Sequence, residues 1–416
     1  MPDKLVVIGA GAAGVFCAVN VARLHPQMEV VILERSSKLL SKVKVSGGGR
    51  CNITHDCSSI TEMVNRYPRG SSFLKKAFRH FFTSDTVAWF EQRGVQLKTE
   101  ADGRMFPVTD NSQTVIDCLL KEADKYNITI IRNAIVTTID KVGASWQIQT
   151  AAGSFISDYV CVASGGITGM PWLTCIQGFG HHIEKPVPSL FTFNIPGNSI
   201  TELMGISCGQ VSVKIAGTKW QQTGSVLITH WGLSGPAVLR LSAWAAKDLA
   251  MKNYEFSIIV NWLPEFNETT LLARMQHLRF SLASQKIINR NPFGLPARLW
   301  EYFLQSAEIN EGIRWADLPA KAQNKLVKLL CAQEFPVKGK TTFKEEFVTA
   351  GGVSLPEIDA DTMQSKLVNG LYFAGEVIDV DGITGGYNFQ NAWTTGWIAA
   401  NGIVQIAKQT IETAKP

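Results

Sequence analysis

Residues 5–14 read Leu5-Val6-Val7-Ile8-Gly9-Ala10-Gly11-Ala12-Ala13-Gly14, and residues 29–34 read Glu29-Val30-Val31-Ile32-Leu33-Glu34, with a helical stretch between them. In order this is a buried strand, a G-x-G-x-x-G turn, a helix and a second buried strand ending in an acid. The unit suits the ADP half of a dinucleotide. Gly9 permits the tight turn, Gly11 leaves the backbone open to a pyrophosphate, and Gly14 lets helix and strand approach. The helix start at Ala12 and Ala13 offers free N–H groups and the positive end of the dipole. Glu34 follows Gly14 by twenty residues, where a carboxylate accepts from ribose hydroxyls, and Arg35 stands beside it. A lone G-x-G-x-x-G would say little; here both strands, the helix and the acid accompany it.

A competing reading is a signal peptide or membrane span, because residues 5–24 are mostly apolar and follow Lys4. Three glycines at fingerprint spacing, the polar interruptions Asn20 and Arg23, and the strand that follows at once oppose it. No later run of 18 apolar residues exists. The chain is expected to be soluble, with no membrane partner and no targeting segment.

With 416 residues the chain has room for two or three domains. An apolar content of 45% and a charged content of 18% fit an ordered enzyme with a large core. A net charge of +5 is too mild to make nucleic acid the expected partner. The excess is uneven: residues 264–340 hold 11 Lys/Arg against 7 Asp/Glu. A solvated basic face is the ordinary explanation, and a face for nucleic acid or an acidic partner is the alternative. The eight cysteines show no C-x-x-C and no zinc spacing with histidine, so no metal site is expected. Their use as small core residues points to a reducing cytoplasm.

Beyond Glu34, residues 36–54 read as a polar loop around Ser46-Gly47-Gly48-Gly49-Arg50-Cys51-Asn52. Helical spacing of Phe73, Leu74, Ala77, Phe78, Phe81 and Phe82 predicts two helical pieces over 71–93, with those aromatics in the core. A strand near 95–98 and a helix over 112–126 follow. From 128 to 163 the period changes to two, which predicts a β-meander whose last strand, Tyr159–Ala163, runs into Ser164-Gly165-Gly166. Pro186, Pro188 and Pro196 mark a boundary. Residues 190–262 are β-rich around a helix near 237–248, and 266–332 are helical. Strand and glycine return at 343–353, a final strand spans 371–374, and a long helix covers 388–408.

The far end of the chain decides which dinucleotide fits. Gly370-Leu371-Tyr372-Phe373-Ala374-Gly375-Glu376 is a strand closing on glycine and an acid, and Gly385-Gly386-Tyr387-Asn388 opens the last helix. In FAD enzymes of the disulfide-reductase class such an acid holds the ribitol chain, and the next helix N-terminus faces the ring. That helix end favours a reduced, anionic ring by about 1 kcal/mol, roughly 2 if partly buried. NAD-only enzymes need no such half-site, and no second G-x-G-x-x-G follows a strand. FAD is therefore the expected cofactor, with no stable NAD(P) domain.

The sequence resembles the BaiN-like, or aminoacetone-oxidase-family, FAD-dependent flavoproteins. The segments that carry the resemblance are VVIGAGAAG, KVSGGGRCNIT (44–54), THWGLSGPAVLRLS (229–242), VTAGGVSLPEID (348–359) and GLYFAGEVIDVDGITGGYNFQNAWTTGWIAA (370–400). The resemblance spans the whole chain. It implies an α/β fold: a Rossmann-like FAD-binding domain of disulfide-reductase type, split by an inserted β-rich domain and a helical subdomain. The expected boundaries are 1–189 and 345–416 for the split domain, 190–263 for the β-rich insert, 264–334 for the helices and 335–344 for the insert's return strand. It assigns Gly9, Gly11, Gly14, Glu34, Lys42, Ser46, Gly47, Gly48, Gly49, Gly375, Glu376, Gly385, Gly386 and Asn388 to FAD. Their neighbours Arg50 and Tyr387, with Val136 in the meander and Ala163, Ser164 and Gly165 after its last strand, complete the expected site. Family members commonly continue that Gly-Gly with Ser-Tyr-Pro and a longer glycine-rich loop. Here Gly165-Gly166-Ile167-Thr168-Gly169-Met170-Pro171-Trp172 is shorter, which leaves substrate and electron donor open.

Three residues are candidates for chemistry. Arg50 suits an anionic reduced ring or a carboxylate substrate. Cys51 beside that cation is either a lowered-pKa thiol or a small packing residue. His230, before Trp231-Gly232, is the best-placed histidine for acid–base work, with a structural role as the alternative. The expected activity is FAD-dependent oxidoreduction, hydride passing between a small-molecule substrate and flavin N5, with oxygen or transient NAD(P)H completing the cycle. The inserted domain and the FAD domain would form the cleft. A flavin-dependent nucleic-acid (tRNA) modifying protein and a non-catalytic flavin redox sensor share the same half-sites.

Overall fold

The computed structural model describes residues 3–167, 169–341 and 348–413. The chain divides into two compact units, Met1–Val187 with Lys344–Pro416, and Pro188–Phe343.

The first unit is built on five parallel strands in the order Leu371–Phe373, Tyr159–Val162, Lys4–Ile8, Glu29–Leu33, Thr129–Ile131. Leu5–Ile8 and Val30–Leu33 are continuous apolar runs because both faces of such a sheet are covered. The strand order reverses around Lys4–Ile8, which is where open parallel sheets leave a crevice at the carboxyl ends of their strands. An antiparallel meander of Val136–Val142, Ser145–Thr150 and Gly153–Ser157 leads into Tyr159–Val162, whose Val160 registers with Val6. Helices Ala12–Leu24 and Tyr387–Thr413 pack directly on each other. At Gly396 a Cβ would sit 2.8 Å from the Ala13 carbonyl oxygen, and the Phe16 and Trp393 rings meet at 5.2 Å. Both ends of the chain thus reach one core.

Two local features differ from the sequence reading. The stretch 36–54 is not all loop: a helix spans Ser41–Gly49 and loses helical dihedrals from Ser46 to Gly48. Val43 is its one buried residue, so no apolar period announces it. A three-stranded sheet joins Thr54–His55, Arg104–Pro107 and Leu97–Thr99. The strand read near 95–98 is Leu97–Thr99, while Thr54–His55 is too short for alternation to register.

The second unit holds seven strands, ordered Gln333–Lys338, Glu255–Asn261, Ser207–Ile215, Gln221–Ile228, Gly232–Ser234, Thr192–Asn194, Lys340–Thr341, with antiparallel pairing throughout. Val213, Ile258 and Phe335 of the sheet share one buried core with Leu271, Trp300 and Leu326 of the helices. The change of composition at 263/264 therefore marks two layers of one core, not two bodies. The return strand is Gln333–Lys338 and Lys340–Thr341; residues 342–344, and the start of the stretch read over 343–353, lie outside the described residues. Val348–Val353 pairs with Ile183–Ser189. Among the described residues no helix is long and apolar enough to cross a membrane.

Candidate functional site

The glycine turn is a close-packed joint with one open face. Gly9 holds φ +109°, and a Cβ there would lie 2.6 Å from the Ala163 carbonyl oxygen. A Cβ at Gly14 would lie 2.0 Å from the Gly9 carbonyl oxygen. Gly11 is the N-cap of helix Ala12–Leu24; no side chain caps that helix, and a Cβ at Gly11 would meet nothing within 4 Å. Its first-turn N–H groups are left for an anion. Next to the turn, the Ser164 hydroxyl is buried without a partner, and Gly165 faces open space. An orphaned buried hydroxyl beside an open helix N-terminus is what a diphosphate ligand completes.

Glu34 has a second task that its spacing does not reveal. Its Oε2 accepts from Ala10 N–H at 2.9 Å, and its Oε1 accepts from the Ser36 N–H and hydroxyl, each at 2.9 Å. The acid clamps the turn and keeps acceptor capacity for a ribose, since a carboxylate has about four lone-pair sites. Ala134 N–H donates to the Glu34 carbonyl at 2.8 Å, and Val136, two residues further along the chain, is buried. Arg35 is exposed, with Nη1 3.7 Å from the Met170 sulfur.

A second cradle is stitched to the first. Leu40 N–H donates to the Ala10 carbonyl at 3.0 Å, folding the 41–49 helix back toward the turn. Lys42 Nζ lies 2.6 Å from Glu376 Oε2, and Glu376 Oε1 accepts from Thr349 N–H at 2.8 Å. The Ser46 hydroxyl donates to the Val43 carbonyl, and Gly47 packs on Phe106 and Asn52. Gly48 and Gly49 face open space. Gly375 N–H donates to the Thr395 hydroxyl at 2.8 Å, and a Cβ at Gly375 would lie 2.7 Å from the Ala13 Cβ.

At the start of the last helix, Gly386 packs on the Thr54 backbone, and the Gly385 carbonyl accepts from His55 Nδ1 at 3.2 Å. His55 stacks on Tyr387 with ring centroids 4.9 Å apart. Burial pushes the His55 imidazole below its ordinary value, and the bond to Gly385 partly offsets this. The Asn388 amide is spent on the Gly382 N–H and carbonyl, at 2.8 and 2.9 Å. Residues 66–70 brace the same loop. Ile383 N–H donates to the Arg66 carbonyl, the Tyr67 hydroxyl donates to the Tyr387 carbonyl at 2.7 Å, and Arg69 pairs with Asp381. His55, Tyr67, Arg69 and Asp381 went unread in the sequence because each partner lies more than 300 residues away.

The three chemical candidates fare differently. Arg50 is not a free cation: its guanidinium lies 2.6 Å from Glu100 and 3.6 Å from Asp110, and over the Phe106 ring at 4.0 Å. Two carboxylates already neutralise the charge that was to face the ring. Cys51 is fully buried with φ +62°, and burial pushes its thiol up to about 12, the reverse of an activated nucleophile. Iodoacetamide at neutral pH is therefore expected to leave Cys51 unlabelled in the folded protein, and Cys51→Ala to leave turnover unchanged. Prompt alkylation of the Cys51 peptide in a mass spectrum would contradict this. His230 belongs to the inserted unit, on the exposed turn between Gln221–Ile228 and Gly232–Ser234, its ring 4.5 Å from that of Trp231.

The HI0933-like protein Rossmann domain matches residues 3–402. The chain belongs to the HI0933-like family. This agrees with the resemblance drawn from the SGGGRCN and GGYN segments, and it places the chain among the FAD-dependent oxidoreductases. Within reach of the HI0933-like chain is an Escherichia coli protein named ribosomal RNA dihydrouridine synthase, 29% identical over 96% of this chain and 97% of the relative. A Clostridium scindens protein named 3-dehydro-bile acid delta(4,6)-reductase is 26% identical over 95% and 98%. Among solved structures, the 3-ketosteroid delta1-dehydrogenase of Sterolibacterium denitrificans superposes with a TM-score of 0.51 at 11% identity, covering 97% of this chain and 100% of its own. At that identity the likeness is one of fold.

Proposed function

We propose that this protein binds FAD and reduces a carbon–carbon double bond conjugated to a carbonyl, with uridine in RNA as its substrate class. The observation that carries the cofactor is the uncapped N-terminus of helix Ala12–Leu24 beside the orphaned Ser164 hydroxyl. Gly9–Gly14 and Glu34 hold the ADP half; Lys42, Gly48, Gly49 and Glu376 hold the ribitol and ring half. When bound, FAD supplies hydride chemistry at N5. The chain's own residues orient and polarise. Lys42 fixes the Glu376 carboxylate, His55 fixes the Gly385 carbonyl, and the last helix sets its positive dipole end at Gly386.

The names of the relatives support the reaction class. Two are named ribosomal RNA dihydrouridine synthases and one a 3-dehydro-bile acid delta(4,6)-reductase. Both names describe saturation of a double bond conjugated with a carbonyl, the uracil C5–C6 bond beside C4=O in one, a diene beside a 3-oxo group in the other. Charge favours RNA. Residues 188–343 hold 16 Lys/Arg against 10 Asp/Glu, and the rest of the chain holds 24 against 25. Averaged over the whole chain, that contrast shrinks to the mild +5 that had set nucleic acid aside.

The test incubates the FAD-loaded protein anaerobically with NADPH or NADH and either an unmodified ribosomal RNA transcript or a 3-oxo-4,6-diene steroid. Dihydrouridine in the digested transcript, detected by mass spectrometry, is the expected result. Reduction of the steroid alone would move the substrate class to small conjugated ketones. Inertness toward both, with a flavin that the nicotinamide does reduce, would end this reading.

A further inference from the structure

After helix Glu268–Ser281 and before helix Ala320–Ala332, the chain forms a short antiparallel ribbon. Ile287 N–H donates to the Ile313 carbonyl at 3.0 Å, Trp315 N–H to Gln285 at 3.0 Å, and Ala316 N–H to Ala283 at 3.2 Å. Lys286 and Arg314 are bridge partners across it, so their side chains leave one face. Both are exposed, as is Arg290 one turn on, whose N–H donates to the Ile287 carbonyl. At the other end, Arg279 Nη2 donates to the Ala316 carbonyl at 2.9 Å, and the adjacent Phe280 is 84% exposed. Glu311 and Asp317 flank Arg314 in sequence. Even so, no carboxylate among the described residues pairs with Lys286, Arg290 or Arg314, whereas Lys325 of the same unit pairs with Glu308 at 2.8 Å. In the other unit Lys42, Arg50, Arg69 and Arg93 are all committed to carboxylates.

Unpaired cations on a ribbon whose preceding helix carries an exposed aromatic ring near its end suit a polyanion that also carries flat rings: phosphates take the cations and a base takes the ring. An acidic protein face would supply the charge without the stacking surface. We propose that this ribbon is a docking surface for RNA, with Lys286, Arg290 and Arg314 on phosphates and Phe280 stacked on an unpaired base. The proposal rests on the RNA reading above and adds where on the chain the RNA is held.

The test is fluorescence anisotropy of the full-length, FAD-loaded protein with a fluorescein-labelled RNA stem-loop across a salt series. The wild-type affinity should fall linearly in log–log form with salt. The double variant Lys286→Ala, Arg314→Ala should make that slope shallower by about 1.5, at roughly 0.7–0.9 per lost phosphate contact. Phe280→Ala should weaken binding about five- to a hundredfold with the slope unchanged. Flavin absorbance and melting temperature should match wild type in all variants. If the wild type forms dihydrouridine while the double variant binds the stem-loop equally well, the surface is wrong and the RNA reading stands. If the wild type fails to bind at low salt, both fall. Polyglutamate bound as tightly as the stem-loop would also overturn the assignment to RNA.

Discussion

Gly11→Asp is expected to leave the apoprotein as stable as the wild type, or slightly more so, and to abolish FAD retention. Gly11 is the N-cap of helix Ala12–Leu24, its dihedrals (φ −85°, ψ −173°) are open to any residue, and a Cβ there meets nothing within 4 Å. Aspartate at such a cap exceeds glycine by a few tenths of a kcal/mol. The same carboxylate would occupy the space assigned to the pyrophosphate. Two like charges about 4 Å apart at an effective dielectric of about 20 repel by about 4 kcal/mol, which is roughly a thousandfold in affinity. Gly14→Ala tests the opposite kind of glycine. Its Cβ would sit 2.0 Å from the Gly9 carbonyl oxygen, so the turn must move, and overpacking of this sort costs about 1–3 kcal/mol in the apoprotein itself. Urea unfolding of each apoprotein and the flavin-to-protein absorbance ratio after purification separate the two. Gly11→Asp purifying with a full complement of flavin would sink the assignment of the ADP site.

That contrast also marks what the sequence could carry. The longer strands and helices and the two glycine motifs depend on residues close along the chain, so period and spacing are enough to find them, whereas the helix Ser41–Gly49 and the strand Thr54–His55 carry no such period. The parallel sheet at Leu5–Ile8, Val30–Leu33 and Tyr159–Val162 follows from apolar runs too short for helices and bounded by glycine. What spacing cannot show is which side chain meets which over long separations. Arg50 looked like a free cation because Glu100, which neutralises it, lies fifty residues away beyond the strand read near 95–98, and spacing does not show that the two meet. For Cys51 the sequence left two readings, a thiol lowered by the neighbouring cation or a small packing residue, and its complete burial decides for packing. Lys42 and Glu376 were each assigned to the cofactor, but the bond between them, spanning 334 residues, was not foreseen. In the inserted unit, a polar surface carries little periodic signal, and the Lys286–Arg314 pairing emerges only from the bridge.

The braces around the second cradle lead to the other large effect. Asp381→Ala should destabilise the folded protein by about 3–5 kcal/mol, the usual range when one partner of a buried ion pair is removed. The Asp381 side chain is fully buried and that of Arg69 nearly so, which leaves the guanidinium little water to turn to once its carboxylate is gone. Against a typical total of about 5–15 kcal/mol, this is a large share. The loss should also reach the cofactor. Asp381 precedes Gly382, whose backbone holds the Asn388 amide at the head of the last helix, and residues 66–70 grip this loop at three further points, Arg66 to Ile383, Tyr67 to Tyr387, and Gly70 packed against Val380. A paired replacement discriminates between charge and packing: Arg69→Met with Asp381→Leu removes both charges and fills the space, and should recover much of the stability lost in Asp381→Ala. Urea midpoints of the two variants and the wild type, read by tryptophan fluorescence, check the order. An Asp381→Ala midpoint equal to wild type would mean that the pair is solvated and braces nothing. A double variant that regains the midpoint and still sheds flavin faster than wild type would instead show that the ion pair is needed to hold the loop in its flavin-binding geometry.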